Sequence, residues 1–474
     1  MDGVPARHLE VERKFDVNDA TMSPSFDGIA AVARIDPSPP DTLDAVYFDT
    51  PTRDLAARHI TLRRRTGGAD AGWHLKLPAG PDARTEVRVP LSAGDEVPAE
   101  LRDVVLAIVR DRPLAPVARI STARRVALLH DADGAVLAEF CDDRVSAWAD
   151  DGAEQRWREW ELELGQADVA LLDQLSTRLR DAGATPAGFG SKLARVLATG
   201  PDQPPTPPPD PIHRAVAEQV DQLLVWDRAV RADAEDAVHQ MRVVTRKIRS
   251  LLRDSAAIGS ADILDELREL AAVLGVARDA EVLAQRYRRA LDALPPELVR
   301  GPVRERLVDG AAQRYQAGRR RALAAMRSPR YFRLLDGLDD LLAGARDHAA
   351  KATVADAYRR VRKAVKAAKA ADYRDDALHR IRKRAKRLRY TAAATKAPRV
   401  AKRAKAVQSL LGEHQDSVVS RAHLLQQADA AVAAGEDTFS YGVLYLREDA
   451  LARRCRANLG RKLRKLDKAM RKAR

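Results

Sequence analysis

His8-Leu-Glu10-Val-Glu12-Arg-Lys14-Phe-Asp-Val17 decides how the first half of the chain folds. Its alternation has the period of a β-strand. Successive strand side chains point to opposite faces. Glu10, Glu12 and Lys14 therefore share one face, and Leu9, Val11 and Arg13 the other. Alone, such a triplet describes a solvated surface strand. The pattern recurs over 60–65, 73–77, 84–91, 123–129, 136–141 and 158–164. Its charged rows are Arg63 and Arg65; His74 and Lys76; Arg84, Glu86 and Arg88; Glu139 with Asp143 nearby; and Glu159, Glu161 and Glu163. Opposite them stand Leu75 and Leu77, Val87 and Val89, and Leu162 and Leu164.

If the apolar rows pack outward against helices, expected near 98–110 and 167–182, the charged rows line a barrel. A barrel of about eight strands has room for one small ligand. An interior carrying both signs is no ordinary core, because unpaired buried charges are costly. A metal-bound oligophosphate answers both sets: the anion meets the bases and a hard divalent cation meets the carboxylates. Oxygen donors suit magnesium or manganese rather than zinc. The expected fold class of this half is α+β with a large antiparallel sheet.

The segment 201–211 holds seven prolines in eleven residues and reads as a stiff, extended linker. The expected division is therefore 1–200, linker 201–211, and 212–474. Residues 1–200 contain 25 Lys+Arg against 33 Asp+Glu, a net of −8. Since the whole chain has 82 and 68, the remainder carries 57 bases and 35 acids, a net of +22. A basic half joined to an acidic one points to a polyanionic partner. Two cysteines, Cys141 and Cys455, exclude a disulfide framework or thiolate zinc site within either half. No apolar run approaches the roughly 18–20 residues of a membrane span, and the start of the chain lacks a secretory pattern. The expected setting is cytoplasmic, with polyphosphate granules a compatible location.

Beyond the linker the apolar spacing is helical throughout, with breaks at Gly259, Pro295-Pro296, Pro329, Asp372 and Pro398. An internal repeat runs through this all-α half. Asp236-Ala-Val-His239-Gln-Met-Arg242 returns as Asp376-Ala-Leu-His379-Arg-Ile-Arg382, and Leu274-Gly275-Val-Ala-Arg-Asp279 returns as Leu411-Gly412-Glu-His-Gln-Asp416. Two pseudo-symmetric helical bundles are expected. Steps of three and four place His239, Arg242, Arg246, Arg249 and Arg253 on one helix face, and His379, Arg382, Lys386 and Arg389 on another. Like charges so spaced repel, by roughly 0.2–0.5 kcal/mol per pair. Their duplication points to an external anion. The basic tail 461–474 extends that surface or is a solvated helix end. Nucleic acid is not the expected partner, because this half has one Trp and two Phe and lacks interleaved aromatic platforms.

Glu10-Val-Glu12-Arg-Lys14 resembles the ExExK signature of the CYTH family, the triphosphate tunnel metalloenzymes. The likeness extends over 6–197 through Tyr47-Phe-Asp-Thr, Thr61-Leu-Arg63-Arg-Arg65, Trp73-His-Leu-Lys76, Arg84-Thr-Glu86, Trp160-Glu161-Leu-Glu163 and Ser191-Lys192. It implies an eight-stranded antiparallel tunnel. By position, Glu10, Glu12, Glu161 and Glu163 would hold Mg2+ or Mn2+, and Lys14, Arg63, Arg65, Lys76, Arg84, Arg124 and Lys192 would clamp phosphates. Arg125 competes with Arg124 because the register there is open. Thr122 stands where some members carry a lysine near the attacking water. The implied catalytic set is Glu10, Glu12, Lys14 and Glu163, with a second metal, or a carboxylate such as Glu12 or Glu163, positioning or deprotonating water.

The repeats resemble the CHAD domain over 212–470, which implies polyphosphate binding in a basic channel through the histidine–arginine rows. Together the two resemblances imply an inorganic triphosphatase. The alternatives are a tunnel acting on thiamine triphosphate or ATP, and a non-enzymatic polyphosphate binder.

Overall fold

The computed structural model describes residues 6–91, 94–149, 152–197, 211–254, 261–343 and 353–473. Contacts divide the chain into two compact units, Met1–Pro205 and Thr206–Arg474. Linker residues 201–210 and the expected break at Gly259 lie outside the described residues.

The first unit is built on ten strands: β1 Ala6–Val17, β2 Arg34–Pro37, β3 Asp41–Asp49, β4 Thr61–Thr66, β5 Gly72–Pro78, β6 Ala83–Pro90, β7 Ala115–His130, β8 Val136–Ala149, β9 Gln155–Leu164 and β10 Thr185–Pro186. Eight of them close a barrel in the order β1-β6-β5-β4-β3-β7-β8-β9, with β9 returning to β1. All the pairings are antiparallel, and β2 and β10 add to β7 and β1. The turn from β4 to β5 needs Gly67: its φ is +78°, and a Cβ there would lie 2.1 Å from the Thr42 carbonyl oxygen.

Four short helices complete the unit: α1 Ala99–Val104, α2 Leu106–Val109, α3 Val169–Asp181 and α4 Lys192–Val196. The outward apolar rows are covered as expected. Leu62, Trp73, Leu75 and Val87 pack under Leu101 of α1, Ile108 and Val109 of α2, and Val105 between the two helices. Phe15, Phe140, Trp160 and Leu162 pack under Leu171, Leu172, Leu175 and Leu179 of α3. Each fully buried large apolar side chain contributes about 1.5–3 kcal/mol. With the greasy faces used outside, the charged faces turn inward.

The second unit is all helical: α5 Pro211–Arg231, α6 Ala237–Asp254, α7 Ala261–Asp292, α8 Gly310–Met326, α9 Pro329–Ala343, α10 Val354–Ala370, α11 Asp375–Ala394, α12 Pro398–Ala433 and α13 Phe439–Arg471. Helices α5 to α8 pack in sequence, as do α10 to α13, and α6 meets α11. The repeated His-x-x-Arg segments lie on α6 and α11, and the Leu-Gly segments on α7 and α12. The tail as far as Arg471 is the end of α13.

Candidate functional site

Register sets the tunnel interior. Glu12 faces Glu163, and Lys14 faces Glu161, across β1 and β9. Glu10 faces Arg84, Lys76 faces Glu86, Arg63 faces His74, and Arg124 faces Asp143. Arg124 turns inward, while Arg125 opposes Asp142 on the outer side.

Most inward charges are paired with one another. Lys14 Nζ lies 3.0 Å from Glu12 Oε2 and contacts Glu161. Burial alone would lower the Lys14 ammonium, but Glu12 and Glu161 hold it above the ordinary lysine value. Lys76 Nζ is 2.5 Å from Glu10 Oε2. Arg124 donates to both oxygens of Asp143 at 2.8 and 2.6 Å, and to Glu161 at 2.6 Å. Burial opposes the Glu161 charge, yet Lys14, Lys192 and Arg124 keep its carboxyl well below the usual range. Arg84 approaches Glu12 at 3.8 Å but donates to the backbone carbonyls of His59 and Gly190 at 3.1 and 3.0 Å.

Two places are left electrostatically unbalanced. The first is basic. Among the described residues Arg63 has a 3.4 Å contact with the Tyr47 hydroxyl and no ion pair, and Arg65 pairs with Asp70. Their buried Nε atoms have no hydrogen-bond partner among the described residues. Burial, then Arg63 and Arg124, push Arg65 down to about 9. The second is acidic. Glu163 has no ion-pair partner among the described residues; burial and its neighbours Glu10, Glu12 and Glu139 push it up to about 7 against Lys76. A surplus of hard oxygen donors there fits a divalent cation, and a surplus of guanidinium fits phosphate.

The expected metal set is only partly assembled. Among the described residues, the carboxylates whose oxygens converge, within 4.8 Å of one another, are those of Asp143, Glu159 and Glu161. Lys192 Nζ stands among them at 2.8, 2.7 and 2.8 Å, so an ammonium already occupies that centre. Glu161 therefore serves bases here, while Glu10 is turned to Lys76 and Arg88 and Glu12 to Lys14. Asp143 and Glu159 were not picked out as site residues from sequence, although both sit at the inward parity of their rows. His74, in one of the charged rows, had no role assigned from sequence. It bridges Glu86 Oε1 at 2.8 Å and the Asp70 carbonyl at 2.9 Å, and so ties the β4–β5 turn to the sheet.

In the helical unit, a cavity of about 820 Å3 is lined by Arg246, Arg249 and Arg253 of α6, Arg268 of α7, Arg360 and Lys363 of α10, and Arg380, Lys383, Arg384, Lys386 and Arg387 of α11. Among the described residues no acidic side chain lines it. Four of the nine residues expected from the rows, Arg246, Arg249, Arg253 and Lys386, line this cavity; His239, Arg242, His379, Arg382 and Arg389 do not. Burial, then Arg246, Arg382, Arg242 and Arg389, push Lys386 down to about 6. Burial lowers His239 and His379 as well, with Arg278 the next cause for His239 and Lys383 for His379.

The second repeated motif explains where Arg242 and Arg382 go. A Cβ on Gly275 would lie 3.3 Å from Arg242 Nε, and one on Gly412 would lie 3.5 Å from Arg382 Nε. Each glycine thus seats the arginine of the other motif flat against the neighbouring helix. Arg242 also donates to the Ala271 carbonyl at 3.3 Å and lies 3.7 Å from Asp279. Arg382 is the leading influence that opposes burial at Asp416.

Comparison with known proteins gives two family matches, the CYTH domain over residues 8–187 and the CHAD domain over 214–425. An uncharacterized protein of Mycobacterium tuberculosis is 67% identical over 505 aligned positions, covering 99% of this chain and 98% of that one. Among solved structures, the CHAD domain from the plant Ricinus communis is 26% identical over 53% of this chain and 90% of its own, with a TM-score of 0.43. PptA from Streptomyces chartreusis is 20% identical over 55% and 100%, with a TM-score of 0.47. A putative adenylyl cyclase from Hippeastrum, described as having a dominant triphosphatase activity, is 16% identical over 40% and 96%, with a TM-score of 0.27. A closed eight-stranded tunnel lined by opposed charges, followed by a duplicated basic helical bundle, makes this chain a member of the CYTH–CHAD family of triphosphate tunnel proteins.

Proposed function

We propose that the tunnel hydrolyses inorganic triphosphate to diphosphate and phosphate with Mg2+ or Mn2+, and that the helical unit, residues 212–474, binds polyphosphate. The observation that carries the tunnel reading is the pair of unbalanced surfaces inside one barrel, Arg63 and Arg65 against Glu163 with Glu10 and Glu12. The acid-free basic cavity carries the second reading.

On this reading the resting ion pairs are exchanged when substrate enters. Phosphate oxygens take up Lys14, Lys76, Arg63, Arg65 and Arg124. Glu10 and Glu12 then lose their ammonium partners and, with Glu163, are released as oxygen donors; Glu161 is a further candidate ligand. A bound divalent cation supplies charge neutralisation at the phosphoryl oxygens and a site for water. The bases stabilise charge that develops on the phosphoryl group and on the leaving phosphate, and such preorganised electrostatics dominate phosphoryl transfer. Glu12 and Glu163 face each other across β1 and β9, where either carboxylate can accept the proton of the attacking water. Arg84 and Lys192 hold the end of the tunnel as well as contributing positive charge.

Phosphate release from tripolyphosphate, thiamine triphosphate and ATP with Mg2+ or Mn2+ tests the proposal. Tripolyphosphate is expected to be the best substrate, and Glu10→Ala/Glu12→Ala to lower its turnover by at least about 10²–10³. Equal release by the double variant, or none by the native protein with any metal, removes the hydrolase reading. Polyphosphate should outcompete single- and double-stranded nucleic acid for the helical unit at fixed salt. Among the described residues no helix is long and apolar enough to cross a membrane.

A further inference from the structure

The basic cavity of the helical unit is lined by eight arginines and three lysines, and the lysines are not alike. Lys363 of α10 and Lys383 of α11 are exposed. Lys386, further along α11, is half-buried. Among the described residues it has no ion pair and no hydrogen bond. The one contact there that favours a charge is the ring of Tyr390, whose centroid lies 5.5 Å from Nζ, and Arg389 shares that ring at 5.1 Å. The rest of its surroundings is positive: Arg382 and Arg389 on its own helix, and Arg242 and Arg246 on α6. Arg360 and Lys363 line the same cavity from α10, and Arg268 from α7. The nearby carboxylates are turned to other bases: Asp279 of α7 lies 3.7 Å from Arg242, and Asp416 of α12 is balanced by Arg382 and Arg286.

An arginine in such a place stays charged, because a guanidinium does not lose its proton in a protein. A lysine can, and a desolvated amine among fixed positive charges gives its proton up. Burial, then Arg246, Arg382, Arg242 and Arg389, push Lys386 down to about 6. A neutral amine is a nucleophile. The cavity therefore sets one reactive nitrogen among guanidinium groups that attract phosphate. A molecule that joins a phosphate to an electrophilic carbon matches both.

We propose that Lys386 is an acylation site for small acyl phosphates, whose phosphate is held by the arginines of the cavity. This inference rests on the reading of the cavity as an anion site and adds a covalent mark to it. The amine nitrogen bonds to the acyl carbon while the bond from that carbon to the bridging oxygen breaks. Phosphate leaves with the electron pair, and the proton released from nitrogen passes to it or to solvent. The surrounding guanidinium groups stabilise the charge that gathers on the departing phosphate. An aldehyde gains less from the same pocket, because imine formation expels water rather than an anion. The amide product is neutral, so an acylated cavity lacks the group that takes up a proton when a polyanion binds. Polyphosphate protects Lys386 twice over, by filling the cavity and by restoring the ammonium.

The full-length protein should be incubated with acetyl phosphate and, in parallel, with an uncharged N-hydroxysuccinimide ester of acetic acid, with no divalent metal added. Acetylation is then followed at each lysine by mass spectrometry. Acetyl phosphate should label Lys386 at least about tenfold faster than Lys363 or Lys383, because binding of its phosphate makes the attack effectively intramolecular. Excess tripolyphosphate should suppress that labelling, and the uncharged ester should show a smaller preference for Lys386. Equal labelling of the three lysines by acetyl phosphate, the same preference with both reagents, or labelling of Lys386 that tripolyphosphate leaves unchanged overturns the inference. Polyphosphate binding is measured on the same protein by calorimetry. Binding without preferred acetylation of Lys386 removes the inference and leaves the polyphosphate reading intact. Acetylation of Lys386 that tripolyphosphate suppresses, in a protein that does not bind long polyphosphate, removes that reading and supports the inference.

Discussion

Polyphosphate binding by the helical unit should take up a proton, and Lys386 should be the residue that takes it. Lys386 shares its surroundings with Arg382, Arg389 and Tyr390 of its own helix, with Arg242 and Arg246 of α6, and with Arg360 and Lys363 of α10 across the cavity. Burial, then Arg246, Arg382, Arg242 and Arg389, push it down to about 6. A polyanion in the cavity reverses the sign of its surroundings and returns it toward the ordinary lysine value of about 10.4. Around pH 8, roughly one free molecule in a hundred carries the proton, whereas nearly every complex does. Binding then takes up close to one proton. Affinity falls as pH rises above about 6, by up to about tenfold, or about 1.4 kcal/mol, per unit. Salt and neighbouring water reduce that slope. Calorimetry at about pH 8 in buffers of different ionisation enthalpy measures the uptake directly. The expected slope is close to one proton for the native protein and close to none for Lys386→Met, which keeps the length and loses the titration. The same slope in both proteins would refute the reasoning.

Other expectations follow from the same geometry. Arg63→Met removes a guanidinium whose Nε has no protein partner among the described residues, so turnover of tripolyphosphate should fall by about 10²–10³ with little change in Tm. Gly412→Ala should raise the Tm of the helical unit, by up to about 1 kcal/mol of helix propensity, because its Cβ would only touch Arg382 at 3.5 Å. Gly318→Ala should lower Tm, by about 1–3 kcal/mol of overpacking, because its Cβ would lie 2.6 Å from the Ala277 backbone nitrogen. Equal and small shifts in the two glycine variants would contradict the packing described for α7 and α8.

The barrel was legible wherever one face of a strand is charged and the other apolar, as in β1, β5 and β9. Strand β3 escaped as a pattern and entered only through the resemblance at Tyr47. Ala45 and Tyr47 are buried inward and Phe48 is buried outward, so the alternation of polarity is lost. The readings of β7 and β8 were too short for a related reason. Their missing parts, such as Ile120 and Ala147, face Leu193 and Val196 of α4 instead of the charged tunnel. Helix α4 has five residues, too few to display a helical period. In the second half, the repeat located α6 and α11 well. It did not show which face of each row looks into the cavity, because α11 carries bases nearly all round, from Arg380 to Arg389. The grouping of Glu161 with the metal ligands came from the resemblance; its ion pairs with Lys14, Arg124 and Lys192 were not legible in the sequence.

The central claim is that one cavity neutralises a cation-loaded phosphate chain. Anomalous diffraction from crystals containing Mn2+ and a non-hydrolysable tripolyphosphate analogue tests it most directly. A manganese peak inside the barrel on oxygens of Glu10, Glu12 or Glu163, with the analogue against Arg63, Arg65 and Lys76, is the predicted result. Manganese and analogue bound elsewhere, with the resting pairs Lys76–Glu10 and Lys14–Glu12 unbroken, would contradict it.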